Sequence, residues 1–442
     1  MRNIALTFLG CFTILAACSN SDDAEKPVAP IPTGDVTIYS TTNSLTRDLT
    51  RDAVNFSLKD NLAPTSITLN PTEQYQTMDG FGVAITGATC FNLLQMKPED
   101  RHAFLTETFS DDKGFGFSYI RISIGCSDFS LSEYTCCDKK GIENFALQSE
   151  EKEYILPILK EILDINPSIK IIAAPWTYPT WMKVKSLTDL TPFESWTNGQ
   201  LNPAYYQDYA TYFVKWVQAF NAEGIDIYAV TPQNEPLNRG NSASLYMSWE
   251  EQRDFVKTAL GPKFKTAGLA TKIYAYDHNY DYSDIETEKN YPGKMYEDPA
   301  ASQYLAGAAY HNYGGNREEL LNMHKAYPEK ELLFTETSIG TWNSGRDLSK
   351  RLLEDMKEVA LGTINNWCKG VIVWNLMLDN DRAPNREGGC QTCYGAVDIS
   401  NSDYKTIIRN SHYYIIAHLS SVVKPGAVRI GASGYADSNI MY

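Results

Sequence analysis

The chain has 442 residues, 43% of them hydrophobic and 21% charged, with 28 Gly and 20 Pro. That composition excludes collagen-like, coiled-coil and wholly disordered chains. Its 39 Lys and Arg against 54 Asp and Glu leave a formal charge of −15, a field that repels phosphate backbones and acidic polysaccharides, so nucleic acid is not an expected partner.

Arg2 precedes an apolar run from Ile4 to Ala17. The run is shorter than the ~20 residues that cross a bilayer and matches the apolar region of an export signal. Leu15-Ala16-Ala17-Cys18 sets a cysteine after small residues, and the polar run Ser19–Asp23 follows at once. This resembles a bacterial lipoprotein signal. Residues 1–17 are expected to be removed and Cys18 acylated. The protein is expected to be exported and held by that lipid alone at the outer membrane, on the cell surface of a Gram-negative bacterium. Residues 18–35, with Pro27, Pro30 and Pro32, cannot bury a core and read as a flexible tether.

Residues 36–77 carry strand patterns at 36–39, 66–69 and 75–78 without a long helix, and are expected to start a side sheet. Beyond them, short apolar runs recur at 81–86, 119–123, 169–175, 227–232, 273–277, 307–312, 332–336 and 371–375. Helical patterns cover 97–109, 150–165, 203–222, 249–266, 316–327 and 347–366, whereas between the fifth and sixth runs only 300–305 is helix-like. This alternation is that of a (β/α)8 barrel. A doubly wound sheet fits less well, since no Gly-rich phosphate loop follows the first run. The barrel is expected to span residues 78–410. Residues 411–442 then read as a return helix and one strand, near 427–430. The expected fold is thus an α/β TIM barrel, a (β/α)8 barrel, with a small β side domain.

With Cys11 in the signal and Cys18 lipidated, seven cysteines remain: Cys90, Cys126, Cys136, Cys137, Cys368, Cys390 and Cys393. An odd number leaves at least one free thiol. Cys390 and Cys393 form a C-x-x-C without a second pair at zinc-finger spacing, so a loop disulfide or free thiols are expected rather than a metal site.

In such a barrel, chemistry collects at the C-terminal ends of the strands. The fourth ends Thr231-Pro232-Gln233-Asn234-Glu235-Pro236 and the seventh Phe334-Thr335-Glu336. Two carboxylates facing each other across a rim are what glycosidic cleavage needs, one to protonate the leaving oxygen and one to act on the anomeric carbon. The proton donor is expected to have its pKa raised by burial and by its ionised neighbour. Trp176 and Trp181 after the third strand, Trp342 after the seventh and Trp374 on the eighth offer flat faces on which sugar C–H groups stack.

Met78–Gly82, Ile120–Ser130, Pro175–Lys183, Gln233–Pro236, Tyr310–Tyr313, Phe334–Glu336, Trp374–Leu376 and Tyr413–Ile430 stand in one order along residues 65–430. In these stretches the chain resembles glycoside hydrolase family 30, which includes glucosylceramidases, β-1,6-glucanases and xylanases. The resemblance implies a retaining mechanism with Glu235 as acid/base and Glu336 as nucleophile. It implies further that Asn234 bonds the sugar 2-hydroxyl, that Arg121 and Tyr313 hold the nucleophile ionised, and that His311 lines the floor. Asp128, Trp176 and Trp374 are implied to grip the terminal sugar. Neither motifs nor resemblance implies a metal, nucleotide or flavin cofactor. The resemblance also implies a β-sandwich side domain. Three features depart from the family pattern: that sandwich is expected to be incomplete, Cys136-Cys137 stand where an aromatic residue is usual, and the loop 388–394 lies beside the cleft. The stretches 234–238 and 335–340 resemble bacterial β-1,6-glucanases, so β-1,6-linked glucan is the expected substrate. The alternatives are glucosylceramidase, β-glucosidase or xylanase activity, or a non-catalytic glycan-binding role.

Overall fold

The computed structural model describes residues 32–58, 65–282 and 285–435. The signal segment, Cys18 and most of the tether lie outside the described residues.

All eight apolar runs form strands: β1 (Gly80–Ala84), β2 (Tyr119–Ser123), β3 (Lys170–Ala174), β4 (Ala229–Val230), β5 (Lys272–Asn279), β6 (Leu305–His311), β7 (Glu331–Glu336) and β8 (Cys368–Val373). Each pairs in parallel with its neighbour, and β8 closes on β1 through Gly370↔Gly80 to Val373↔Val83. Closure leaves no barrel edge unpaired.

Side chains alternate along a strand, and the alternation decides what reaches the axis. Tyr119, Ile172, Ala229, Tyr274, Ala309, Leu333 and Ile372 form one apolar cluster inside the barrel. The intervening Ile120, Ile171, Val230, Ala308, Phe334 and Val371 belong to the larger core under the helices. A Cβ on Gly82 would lie 1.6 Å from the Tyr119 carbonyl oxygen, so only glycine fits against the backbone of the neighbouring strand there. Two residues beyond the inner cluster, the same faces present Arg121, Thr231, His311, Thr335 and Trp374. A polar layer thus caps an apolar plug.

Strand β5 breaks the alternation. Its register shifts between Tyr276 and His278, and Tyr276 and Asp277 take left-handed φ values of 73° and 67°. The extra residue turns Asp277 toward the axis and Tyr276 outward, as bulges near active sites do.

Helices cover most of the expected segments, and three of them, near 151–155, 256–260 and 356–361, contain a wider π-type turn. The helix Gly87–Gln95 was not legible in the sequence. The helix Ser411–Val422 lies against the barrel, with the Tyr413 ring 5.3 Å from that of Phe117. Two expected strand pieces merge into one, Ile67–Thr77, which pairs antiparallel with Val428–Gly434. Val36–Ser40 pairs with Thr50–Val54. The described residues also form a two-stranded sheet of Ile339–Gly340 with Cys393–Tyr394 and two three-stranded sheets, one of Met377–Asp379, Val397–Ile399 and Ile407–Arg409 and one of Lys183–Ser186, Asp189–Pro192 and Gln200–Leu201. Cys390 and Cys393 are disulfide-bonded, while Cys90, Cys126, Cys136, Cys137 and Cys368 are buried free thiols.

Candidate active site

Glu235 and Glu336 face each other at the rim. One carboxylate oxygen of each lies within 4.8 Å of the other. Glu235 follows β4 in a left-handed conformation, φ 44°, a costly backbone state that tertiary contacts must hold. They are visible: Glu235 N donates to the Asp277 carbonyl at 2.9 Å, and Asn238 Nδ2 donates to Glu235 Oε2 at 2.7 Å. Glu336 ends β7, where Arg121 Nη1 donates to its Oε2 at 2.6 Å and the Tyr313 hydroxyl to its Oε1 at 3.0 Å. Two donors on a carboxylate, one of them cationic, favour the ionised form a nucleophile needs.

Beneath the pair, Asp277 ties four strands together. Its Oδ2 accepts from Arg121 at 2.9 Å and Thr231 at 2.7 Å; its Oδ1 accepts from Thr335 at 2.6 Å and lies 3.0 Å from His311 Nε2. The other ring nitrogen of His311 lies 3.2 Å from Glu235 Oε1. Asn234 accepts from Arg121 Nη2 at 2.6 Å.

These contacts set the charge states. Burial works against the His311 cation, but the Glu336 charge and the bonds to Asp277 and Glu235 outweigh it and lift its pKa to about 9. Burial raises Glu235, yet the His311 bond, the charges of His278 and His311 and the Asn238 bond overcome it and bring it down to about 2. The sequence expectation for Glu235 is therefore corrected in direction, because it did not include a histidine cation bonded to that carboxylate. The Glu235–His311 pair titrates as a unit and keeps one proton through neutrality. Burial raises Glu336 above its ordinary range, against the pull of His311 and Arg121 and with a further push from Glu235. Burial, with the Glu336 and Glu235 charges, lifts Asp128 to about 8, so it is a neutral donor at pH 7.

A cavity of about 430 Å³ opens over the pair, lined among others by Asp128, Tyr313, Trp342, Trp374 and the loop residues Gly388, Gly389, Cys390 and Cys393. The loop 388–394 thus borders the cleft as expected. Four other expected residues stand behind this surface. Arg121 and His311 are fully buried and Asn234 nearly so. Trp176 is 2% exposed and packs under Trp374, ring centroids 5.2 Å apart, with the Arg121 guanidinium 4.8 Å from its ring centre. Trp176 therefore backs the sugar-facing wall instead of forming it. Trp181 points away from the cleft, donating to the Cys137 carbonyl at 2.8 Å.

The sequence profile of the glycosyl hydrolase family 30 TIM-barrel domain matches residues 78–423. The chain belongs to glycosyl hydrolase family 30. An endo-1,6-beta-D-glucanase of Neurospora crassa is 32% identical over 377 residues, 82% of this chain and 74% of that protein. The lysosomal acid glucosylceramidase of Mus musculus is 26% identical over 392 residues, 82% of this chain and 71% of that protein. Among solved structures, the endo-beta1,6-glucanase BT3312 superposes with a TM-score of 0.90 at 87% identity, covering 92% of this chain and 88% of that one.

For a family 30 glycoside hydrolase the carboxylate spacing is informative. Retaining enzymes hold the two groups ~5–5.5 Å apart, whereas inverting ones leave ~6.5–9.5 Å for a water. With one oxygen of each carboxylate within 4.8 Å of the other, the pair fits the first class. Glu235, His311 and Glu336 also stand at a spacing a cation could bridge. Both His311 nitrogens already face carboxylates, however, and Arg121 holds Glu336. The donor chemistry suits proton handling better than metal ligation.

Sequence reasoning missed the wall residues His278, Asn279 and Tyr282 and, in the charge network beneath them, Asp277. For Asp277 the usable signal was a carboxylate at the end of the fifth strand, the position rule that found Glu235 and Glu336.

Proposed function

We propose that this protein is a retaining endo-β-1,6-glucanase. Glu336 attacks the anomeric carbon while Glu235, drawing on the proton it shares with His311, protonates the departing glycosidic oxygen. The glycosyl-enzyme ester is then hydrolysed by a water whose proton returns to Glu235. Asp128, as a neutral donor, and Trp374 hold the terminal glucosyl unit. Asn234 and Arg121 keep the floor in register with the sugar 2-hydroxyl, and Tyr313 and Trp342 stand on the rim.

The observation that carries the substrate assignment is the 87% identity to the endo-beta1,6-glucanase BT3312 across 92% of this chain. The glucosylceramidase relative, at 26%, supports that alternative far less. A purely glycan-binding role leaves unexplained a carboxylate pair with a dedicated proton partner. Incubation with β-1,3-, β-1,4- and β-1,6-linked glucans, followed by sizing of the products, tests the assignment. Oligosaccharides released early from the β-1,6 polymer alone are expected. Preferential cleavage of another linkage, or release of glucose only, refutes it.

We further infer that the protein is exported and tethered to the outer membrane through lipid on Cys18. The sequence Leu15-Ala16-Ala17-Cys18 and the polar run after it support this reading.

A further inference from the structure

We propose that a second cavity, on the flank of the barrel beside the cleft, binds glucosyl units on the leaving-group side of the scissile bond. The proposal rests on the β-glucan reading above.

The cavity follows from an irregular βα unit. Elsewhere a strand of the barrel is backed by a long helix such as Tyr206–Ala222. Between β5 and β6 the described residues hold a single 3-10 turn, Glu286–Glu288, and two short helices, Tyr291–Tyr296 and Pro299–Ser302. The bulge in β5 sends Tyr276 into this thinly covered zone, where its ring lies 4.9 Å from Tyr291 and 5.7 Å from Tyr310. These rings do not fill the space up to the helix Glu318–Ala326. A cavity of about 480 Å³ remains, within the ~300–1,000 Å³ of small-molecule sites.

Its chemistry suits a neutral polyhydroxylated chain. Tyr276, Tyr280, Tyr291 and Tyr310 form its buried floor, and the partly exposed Tyr282 ring offers a surface for sugar C–H groups. The exposed Asn290, Asn322 and Glu319 add amides and an acceptor at the wall. Asp281, Glu288 and Glu319 outnumber the one cation of the lining, Lys289, which disfavours an anionic ligand, and the polar wall disfavours an acyl chain.

Its position gives the direction. Tyr282 lines both this cavity and the catalytic one, and its ring lies 4.7 Å from that of His278. His278 in turn accepts from Leu237 N, two residues past Glu235, at 3.4 Å. The route past Tyr282 therefore starts beside the proton donor, the group that faces the leaving oxygen. Each β-1,6 linkage passes through an exocyclic carbon and so has one more rotatable bond than a linkage between ring carbons. Such a chain can turn over the rim at Tyr282 and descend the flank.

Asn322 and Ala326 are exposed on the helix that forms the outer wall, so Asn322→Trp and Ala326→Trp fill the cavity from a side remote from Glu235. Steady-state kinetics on β-1,6-linked gluco-oligosaccharides of increasing length provide the readout, with melting curves to show that each variant is folded. The loss in kcat/KM is expected to grow with length and reach at least about fivefold on long chains, an effect of cavity contacts alone. An unchanged length profile in both folded variants overturns the proposal. Titration of Glu336→Gln with the same oligosaccharides is an independent check. Affinity that stops rising once the catalytic cleft is filled also overturns it. If the parent enzyme cleaves no β-1,6 chain, the substrate reading itself has failed, which is a different result from a flat profile on a good substrate.

Discussion

Arg121 and Asp277 meet at 2.9 Å with neither side chain reaching solvent. Removing one partner of a buried ion pair strands the other and costs ~3–5 kcal/mol. Asp277→Asn is therefore expected to lower the unfolding free energy by about that amount. In the folded fraction, kcat should fall far more than KM rises, because Arg121 and His311 lose their shared anchor. Denaturant melts and steady-state kinetics measure both. A stability loss no larger than the ~0.5 kcal/mol typical of surface substitutions refutes the structural role.

Glu336→Gln should abolish turnover with the fold retained. The amide keeps the shape and can still receive the Arg121 and Tyr313 donors through its oxygen, but it cannot displace the leaving group. A fall in kcat of at least about 10³-fold with a native melting curve is expected. Activity near that of the parent would remove Glu336 from the nucleophile role.

The pH profile of kcat/KM follows from the charge states. Activity needs Glu336 ionised, and its pKa is raised, so the acid limb should lie above the ordinary glutamate value of 4.5. Activity also needs the proton held by the Glu235–His311 pair and a neutral Asp128. With His311 lifted to about 9 and Asp128 to about 8, both groups keep their protons below those values and lose them as pH rises through them. The alkaline limb should therefore fall at about 8, where the lower of the two ionises. Asp128→Asn removes the lower of the two ionisations and should move that limb upward. An alkaline limb near the free-histidine value of ~6.5 would contradict the His311 assignment.

How much of this was legible in the sequence depends on whether local pattern or tertiary contact decided a residue's place. The eight strands were legible because their apolar runs are buried on both faces. Glu235 and Glu336 were legible because each ends such a run. Asp277 also ends such a run and was open to the same rule, but its inward direction was not legible, because the bulge that sets it needs two consecutive left-handed residues, Tyr276 and Asp277, which carry no Gly or Asn signal. The downward shift of Glu235 depends on His311, 76 positions away in the chain. Trp176 and Trp181 show a third limit: position near a rim does not tell a sugar platform from its backing, and only Trp374 of the three lines the cleft. The fifth βα unit read as irregular, and that irregularity became the flank cavity.

Anchoring through Cys18 has a direct test. Cys18→Ala removes the proposed acylation site, so the protein should move from the membrane fraction to the soluble fraction, with metabolic labelling by a fatty acid lost in parallel. Continued membrane association without label would point to a different anchor.

The acid/base role of Glu235 is tested by Glu235→Ala together with leaving-group chemistry. A substrate with a very good leaving group departs without a proton, so the variant should still form the glycosyl-enzyme from an activated aryl β-glucoside. It should lose far more, about 10²–10⁴-fold, on β-glucan, whose alkoxide must be protonated. The second step then lacks its base, and the ester on Glu336 should accumulate as a covalent adduct visible by mass spectrometry. A small anion such as azide fits the space vacated by the carboxylate and needs no deprotonation, so it should restore turnover by attacking the anomeric carbon. Two inversions at that carbon give a β-glycosyl azide. The outcome separates the assignments: no rescue removes Glu235 from the base role, whereas an α-azide shows that only one displacement occurred and that Glu336 does not form the ester.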